Sequence, residues 1–163
     1  MDNKLLHEMN VQINKEMYSG YLYLAMAAHF ELQNLPGFAH WMTAQAGEEL
    51  EHAMKFFAFL NELGEKVVLD AIDKPETEFA DPVKVFEQVL AHEKYVTGRI
   101  HLLYKMAMDA NEYPTQMFLQ WFVKEQVEEE ANATAILEML RIGGNKGNAL
   151  LMIDRHLAAR KED

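Results

Sequence analysis

Apolar residues recur every three or four positions along most of the chain, the period expected of α-helices with one buried face. The first such run extends from about Asn3 to Gln33. Its predicted buried stripe consists of Leu5, Met9, Ile13, Glu16, Gly20, Leu24 and Ala27. A second run begins at Pro36 and ends near Leu63, just before Gly64. Strand-like alternation is nearly absent, so the pattern predicts an all-α protein.

Two further long runs and one short run follow. The third begins near Asp81 and Pro82, a capping residue followed by a proline at the first helical position, and stops near Asn111. The fourth begins near Pro114 and ends at the glycine-rich residues 143–148. A short fifth helix is predicted over about residues 149–159. The sequence therefore predicts four helices of nearly equal length and one short C-terminal helix.

The lengths of the connections predict how these helices are arranged. Short breaks join the first helix to the second and the third to the fourth, which makes each pair antiparallel neighbours. About 17 residues separate Gly64 from Pro82. At about 3.3 Å per residue this segment can run the length of a bundle of helices about 40 Å long. We therefore expect a four-helix bundle with one long crossover and a short fifth helix, in a single domain over residues 1–163.

Each long stripe is interrupted near its middle by acids, amides or a histidine. These residues are Glu16 in the first helix, Glu49 and His52 in the second, Glu93 in the third, and Gln126 and Glu129 in the fourth. Because they lie about halfway along their helices, we expect them to meet at one level of the bundle. Burying several carboxylates together is costly, and the set contains no Lys or Arg to neutralise them.

A bound cation accounts for this set of donors. Mainly oxygen ligands with one nitrogen suit iron or manganese better than softer metals. The Glu-x-x-His spacing places Glu49 and His52 on one helix face, where a single ion can contact both. Two ions can share a bridging glutamate. One Glu-x-x-His alone is weak evidence, since a lone His52 is more often a core histidine with ordinary hydrogen bonds. Contributions from four helices are much stronger evidence.

Composition limits the remaining classes of function. The net charge of −11 argues against nucleic-acid binding, which favours a basic surface. The absence of cysteine excludes disulfides and thiolate metal sites. The longest uncharged stretch, residues 17–30, is shorter than the roughly 20 residues that span a bilayer. The N-terminal residues do not show a signal-peptide pattern. We therefore expect a cytoplasmic protein that binds neither membrane nor nucleic acid.

Four sequence stretches carry a resemblance to a known family. They read NKEMYSGYLYLAMAAHFE, GFAHWMTAQAGEELEHAMKF, HEKYVTGRI and FLQWFVKEQVEEE, one in each long helix. With these motifs the sequence resembles the bacterial non-haem ferritins over essentially the whole chain. The resemblance implies a ferritin-like fold and a homo-oligomeric cage of 24 subunits. It also implies a ferroxidase that oxidises Fe(II) with O2 and stores the ferric mineral inside the cage. The sequence does not distinguish O2 from peroxide as the preferred oxidant.

The same resemblance assigns residues to two iron sites and a possible third. The first site is implied to be Glu16, Glu49 and His52. The second is Glu49, Glu93 and Glu129, with Gln126 close by and Glu49 as the bridge. The implied third site, toward the cavity, consists of Glu48, Glu125, Glu128 and Glu129. Tyr23 matches the family's tyrosine beside the paired irons, and Trp121 matches a nearby tryptophan.

Departures from related families favour the non-haem class. Haem-binding relatives place a methionine ligand where this chain has Leu50, and they repeat Glu-x-x-His where residues 126–129 read QVEE. The resemblance therefore implies no haem. Cysteine-ligated relatives are excluded by composition, and the mini-ferritins lack the fifth helix. One alternative stays open, a cage that binds iron without fast turnover. The intact set of six residues argues against a structural helical oligomer with a vestigial site.

Overall fold

The computed structural model describes residues 1–144 and 146–161. Within them the chain forms five helices and no strand: α1 (Asn3–Leu32), α2 (Pro36–Glu62), α3 (Pro82–Asp109), α4 (Tyr113–Gly143) and α5 (Gly147–Ala158). Each bound lies within about two residues of the one expected from the sequence. The predicted all-α bundle with a long crossover and a short fifth helix is therefore confirmed.

Local chemistry explains why the helices begin and end where they do. The Asp2 carboxylate accepts hydrogen bonds from the backbone N–H groups of the first turn of α1. Asp81 does the same for the first turn of α3, where Pro82 stands at the first helical position. These side chains satisfy N–H groups that have no partner within the helix. After α2, Gly64 adopts a left-handed conformation with φ of 70°, which turns the chain away from the helix axis.

The crossover between α2 and α3 is fastened to the surface of α1. The Asn10 amide bridges it by donating to the carbonyl of Lys66 and accepting from the N–H of Val68, at 3.2 and 2.7 Å. One turn further along, the Asn14 amide donates to the carbonyl of Ala71 at 2.8 Å. Extended backbone without a sheet partner needs other hydrogen-bond partners, and these two asparagines supply several of them.

The interior consists of two separate apolar clusters, one at each end of the bundle. One cluster is built around Phe30, Phe38 and Phe86 and includes residues of α5. The other is built around Phe56 and Phe122. On every long helix the predicted mid-helix polar residues lie between the segments that form the two clusters. The polar level therefore divides the core in two.

One position in the predicted stripe of α1 is wrong. Leu24 is 48% exposed, whereas Tyr23 is fully buried. The cause is rotational drift, since each step of four residues turns about 40° past a full turn, while seven residues fall only about 20° short of two turns. Tyr23, seven residues beyond Glu16, thus stays on the inward face.

No helix in the described part of the chain combines the length and apolar character needed to cross a membrane.

Helix α5 packs against α2 and α4 and provides the cap that α2 lacks. The residue before α2 is Leu35, which has no side-chain acceptor to offer. Instead the buried carboxylate of Asp154 accepts from the N–H groups of Gly37 and Phe38, at 2.8 and 3.0 Å. Glycine is required at position 37, because a Cβ there would lie 1.7 Å from the Asp154 carbonyl oxygen. The docking of α5 is therefore specific.

Replacing Asp154 with alanine is expected to lower the free energy of unfolding by about 1–2 kcal/mol, because two N–H groups at a helix start lose their acceptor. Asparagine at this position keeps an acceptor oxygen and is expected to lose less. Urea unfolding followed by circular dichroism measures both variants. Asp73→Ala, on the exposed crossover, is the matched control. Equal stability of the two alanine variants would contradict this role for Asp154.

Candidate metal centre

The polar level between the two apolar clusters brings together side chains from all four long helices. Each of these residues is at most 4% exposed. They are the six predicted from the interrupted stripes: Glu16, Glu49, His52, Glu93, Gln126 and Glu129. The structure thus places the predicted set in one buried cluster. What this cluster binds depends on the geometry of its ligand atoms.

Three of these residues form a group with the dimensions of a metal site. Ligand atoms of Glu16, Glu49 and His52 all lie within 4.8 Å of one another. Nδ1 of His52 is 3.5 Å from Oε2 of Glu49, as expected for an i, i+3 pair on one helix face. Oε2 of Glu16 is buried, and no described residue offers it a hydrogen bond. An orphaned carboxylate oxygen beside two other donors fits a site for a cation.

Glu93, whose charge also acts on Glu49, is held by two side chains of its own. The Tyr23 hydroxyl donates to Oε1 of Glu93, and the Gln126 amide donates to Oε2 of Glu93 at 3.2 Å. Gln126 also donates to the backbone carbonyl of Glu93 at 3.1 Å, which fixes its position between α3 and α4. Tyr23 is therefore placed beside the acid cluster, where the sequence resemblance expects it.

The predicted third site is only partly assembled. Ligand atoms of His52, Glu125 and Glu129 lie within 4.8 Å of one another, with Nε2 of His52 4.0 Å from Oε1 of Glu125. Glu128 is exposed and does not belong to this group. Glu48 is also outside it, and its carboxylate forms an ion pair with a guanidinium at 2.6 Å. The structure thus brings together two of the four acids in this predicted set, and adds His52 to them.

The electrostatics of the cluster favour protons or a cation. Burial raises the pKa of Glu16, Glu49 and Glu93, and the charge of neighbouring carboxylates raises the pKa of Glu16 and Glu49 further. Burial, reinforced by the nearby Glu93 charge, raises the pKa of Glu129 to about 8. Among the described residues, no lysine or arginine forms an ion pair with any of these four acids. Binding of a metal ion at these acids would therefore compete with protons.

Trp121 covers one side of the cluster. Its ring meets the imidazole of His52 edge to face, with ring centroids 5.4 Å apart. Its outer face is partly exposed and lies 4.5 Å from Nζ of Lys55. Trp121 thus contacts both the buried imidazole of His52 and the ammonium group of Lys55.

Two buried amides that contact the acids were not predicted as site residues. Gln12 donates to Oε1 of Glu16 at 2.8 Å. Gln45 donates to Oε2 of Glu129 at 2.7 Å and to Oε1 of Glu49 at 3.3 Å. Each glutamine precedes a cluster acid by four residues on its own helix, so the repeated Gln-x-x-x-Glu spacing is the signal that could have revealed them.

Fold and site together define a four-helix-bundle protein with a buried, carboxylate-rich candidate metal centre, a class in which ferritin-like proteins are the best-known example. Residues 6–142 match the family model described as the ferritin-like domain. The chain therefore belongs to the ferritin family.

Individual relatives agree with this assignment over nearly their whole length. A bacterial non-heme ferritin of Staphylococcus saprophyticus is 38% identical over 163 residues, covering all of this chain and 98% of that protein. One from Bacteroides fragilis is 38% identical over 160 residues, covering 98% and 99%. A solved structure of the open-pore ferritin of Archaeoglobus fulgidus is 48% identical, with a TM-score of 0.97 over 99% of both chains. The predicted resemblance to bacterial non-haem ferritins is confirmed.

Proposed function

We propose that the protein is an iron-storage ferritin with ferroxidase activity, which oxidises Fe(II) at a two-iron centre within each subunit. The observation that carries this proposal is the buried level of four glutamates and one histidine, drawn from four helices and lacking any basic ion-pair partner among the described residues. Such a set is costly to bury empty, and it offers the oxygen-rich donors that iron prefers.

In this proposal each acid has a definite part. Glu16 and His52 bind one iron, Glu93 and Glu129 bind the other, and Glu49 bridges the two. The amide of Gln126 holds Glu93 in place. Hard carboxylate oxygens favour Fe(III) over Fe(II), so the bound metal gives up electrons more readily. Two Fe(II) ions, one O2 and two protons then yield two Fe(III) ions and one H2O2.

The proposed product store is a homo-oligomeric cage, with 24 subunits as the family resemblance implies. Support comes from large apolar side chains left exposed on one stripe of α1: Tyr21 at 51%, Leu24 at 48% and Leu32 at 84%. Large apolar side chains exposed on one helix face are typical of contacts between subunits. The third iron site, the absence of haem, the cytoplasmic location and the absence of a nucleic-acid partner stay predictions.

The rate of iron oxidation tests the proposal. Metal-free protein is mixed aerobically with two Fe(II) per chain, and ferric absorbance is followed by stopped flow. His52→Ala is expected to slow the reaction by more than about tenfold. Loss of a residue that only orients a metal ligand typically costs about 10–100-fold, and loss of a ligand itself is expected to cost at least as much. His101→Ala, on the exposed side of α3, is the matched control and is expected to react like the parent.

Equally slow oxidation in all three proteins would overturn the ferroxidase assignment. A cage that binds iron passively would then be the better description.

A further inference from the structure

Two arginines approach the acid cluster without touching its acids. Arg99 lies on α3, and Arg160 follows the end of α5. Nε of Arg99 is 3.2 Å from Oε1 of Gln12, and Nη1 of Arg160 is 3.0 Å from Oε1 of Gln45. Both glutamines are buried, with 0% and 1% exposure. Each guanidinium therefore contacts the acceptor end of a buried amide.

The donor end of each amide faces the metal ligands. The Gln12 amide donates to Glu16, and the Gln45 amide donates to Glu129 and Glu49. A guanidinium can only donate hydrogen bonds, and an ionised carboxylate can only accept them. Only one of the two amide orientations satisfies both neighbours, since the flipped amide would set oxygen against carboxylate and NH2 against guanidinium.

Each guanidinium is itself held by an acid from the same helix as its glutamine. Nη1 of Arg99 is 2.8 Å from Oε2 of Glu8 on α1. Nη2 of Arg160 is 2.6 Å from Oε2 of Glu48 on α2, and its guanidinium also stacks over the ring of Trp41 at 4.8 Å. The side chains of both arginines are mostly buried, at 15% and 17% exposure. Two chains of the same composition thus run from an outer acid through arginine and glutamine to the cluster.

We propose that Arg99 and Arg160 are positioning residues for the metal centre, each acting through its glutamine. This inference rests on the proposed function. The guanidinium fixes and polarises the amide, which strengthens the amide's hydrogen bonds to the carboxylates. Glu16, Glu49 and Glu129 are thereby held in the orientation that binds metal. The positive charge stays one residue away, so it offsets the acids without occupying the position of the cation.

Arg160 also couples the C-terminal helix to the metal centre. Asp154, within α5, anchors this helix at the start of α2, and Arg160, just beyond the C-terminal end of α5, reaches the middle of α2. The position of α5 therefore sets the orientation of Gln45. The same arginine also pairs with Glu48, which lies outside the group formed by His52, Glu125 and Glu129.

Anaerobic titration with Co(II), followed by its visible d–d absorbance, tests the proposal without requiring oxidation. The parent is compared with Arg160→Ala, Gln45→Leu and the double variant. Arg160→Ala is expected to bind Co(II) about tenfold more weakly than the parent and to change its absorbance spectrum. Effects of this size are typical when a residue that orients a metal ligand is removed. The double variant is expected to bind no more weakly than Gln45→Leu alone, because the arginine acts through the amide. Arg141→Ala, which loses only surface ion pairs, is the control.

Parent-like affinity and spectrum in Arg160→Ala would overturn the inference, as would effects that simply add in the double variant. If Arg160→Ala does not fold, Arg160→Lys decides in its place. Lysine keeps the charge but cannot place two donors in a fixed fork, so weakened binding supports the proposal and parent-like binding overturns it. A parent that fails to bind Co(II) would instead count against the proposed function.

Discussion

Glu49→Ala is expected to slow Fe(II) oxidation at least about a hundredfold, the largest effect of any single change in this protein. Glu49 forms a group with Glu16 and His52 and also interacts electrostatically with Glu93 and Glu129, so in the proposed centre its loss affects both irons. Effects of 10–100-fold are usual even for residues that only orient ligands, and a shared ligand exceeds them. Stopped-flow absorbance after aerobic mixing with Fe(II) measures the rate.

The matched control is Glu51→Ala, which removes an exposed carboxylate two residues away on the same helix. It is expected to oxidise iron at the parent rate. Circular dichroism and size-exclusion chromatography establish that both variants keep the parent fold and assembly. Parent-like oxidation by folded Glu49→Ala would rule out the proposed two-iron centre.

Glu129→Gln is expected to stabilise the metal-free protein at pH 8 while weakening its binding of metal. The pKa of Glu129 is raised to about 8 in the folded protein, from 4.5 for the unperturbed group. The folded state therefore binds the proton more tightly than the unfolded state. Stability of the metal-free parent falls as pH rises from about 4.5 to 8. The neutral amide has no such penalty.

The expected gain at pH 8 is up to ~4 kcal/mol in the free energy of unfolding, because the pKa rises from 4.5 to about 8 and each tenfold difference in proton affinity corresponds to about 1.4 kcal/mol. At pH 4.5 the difference between variant and parent is expected to vanish. Urea unfolding of metal-free protein at the two pH values measures it. Glu128→Gln removes the exposed neighbouring charge and serves as the control. A Glu129→Gln variant less stable than the parent at pH 8 would contradict this account.

The helices were predictable because their signals are local. Asp81 and Pro82 mark the start of α3 in the sequence, and the structure shows the same carboxylate capping the helix there. The six cluster residues were predictable for a similar reason, since a polar residue inside an apolar stripe is visible without knowing its partners. The exposure of Leu24 and the burial of Tyr23 are the exception. A stripe predicted by successive steps of four residues does not account for the rotational drift along the helix.

The missing parts depend on contacts between residues far apart in the chain. Asp154 caps α2 although it is 117 residues from Gly37 in the chain, and no local pattern in either segment predicts this contact. Gln12 and Gln45 look like core amides until the acids and arginines at their two ends are known. Arg99 and Arg160 look like surface charges for the same reason. Which amide faces which charge is a property of the packed bundle and not of any one helix.

Because the polar level divides the interior, metal binding at this level is expected to affect the stability of the subunit. The bundle has two small apolar cores, one toward each end. Between them lies a level of buried carboxylates, which repel one another when ionised and contribute little apolar contact. In the proposed centre a bound cation would join all four long helices, and a ligand at a hundredfold excess over its Kd stabilises its host by about 2.7 kcal/mol. In the proposed centre, we expect the metal-bound subunit to unfold more cooperatively than the metal-free one, because the metal joins its two halves. In the proposed function, bound iron therefore stabilises the folded subunit that holds it.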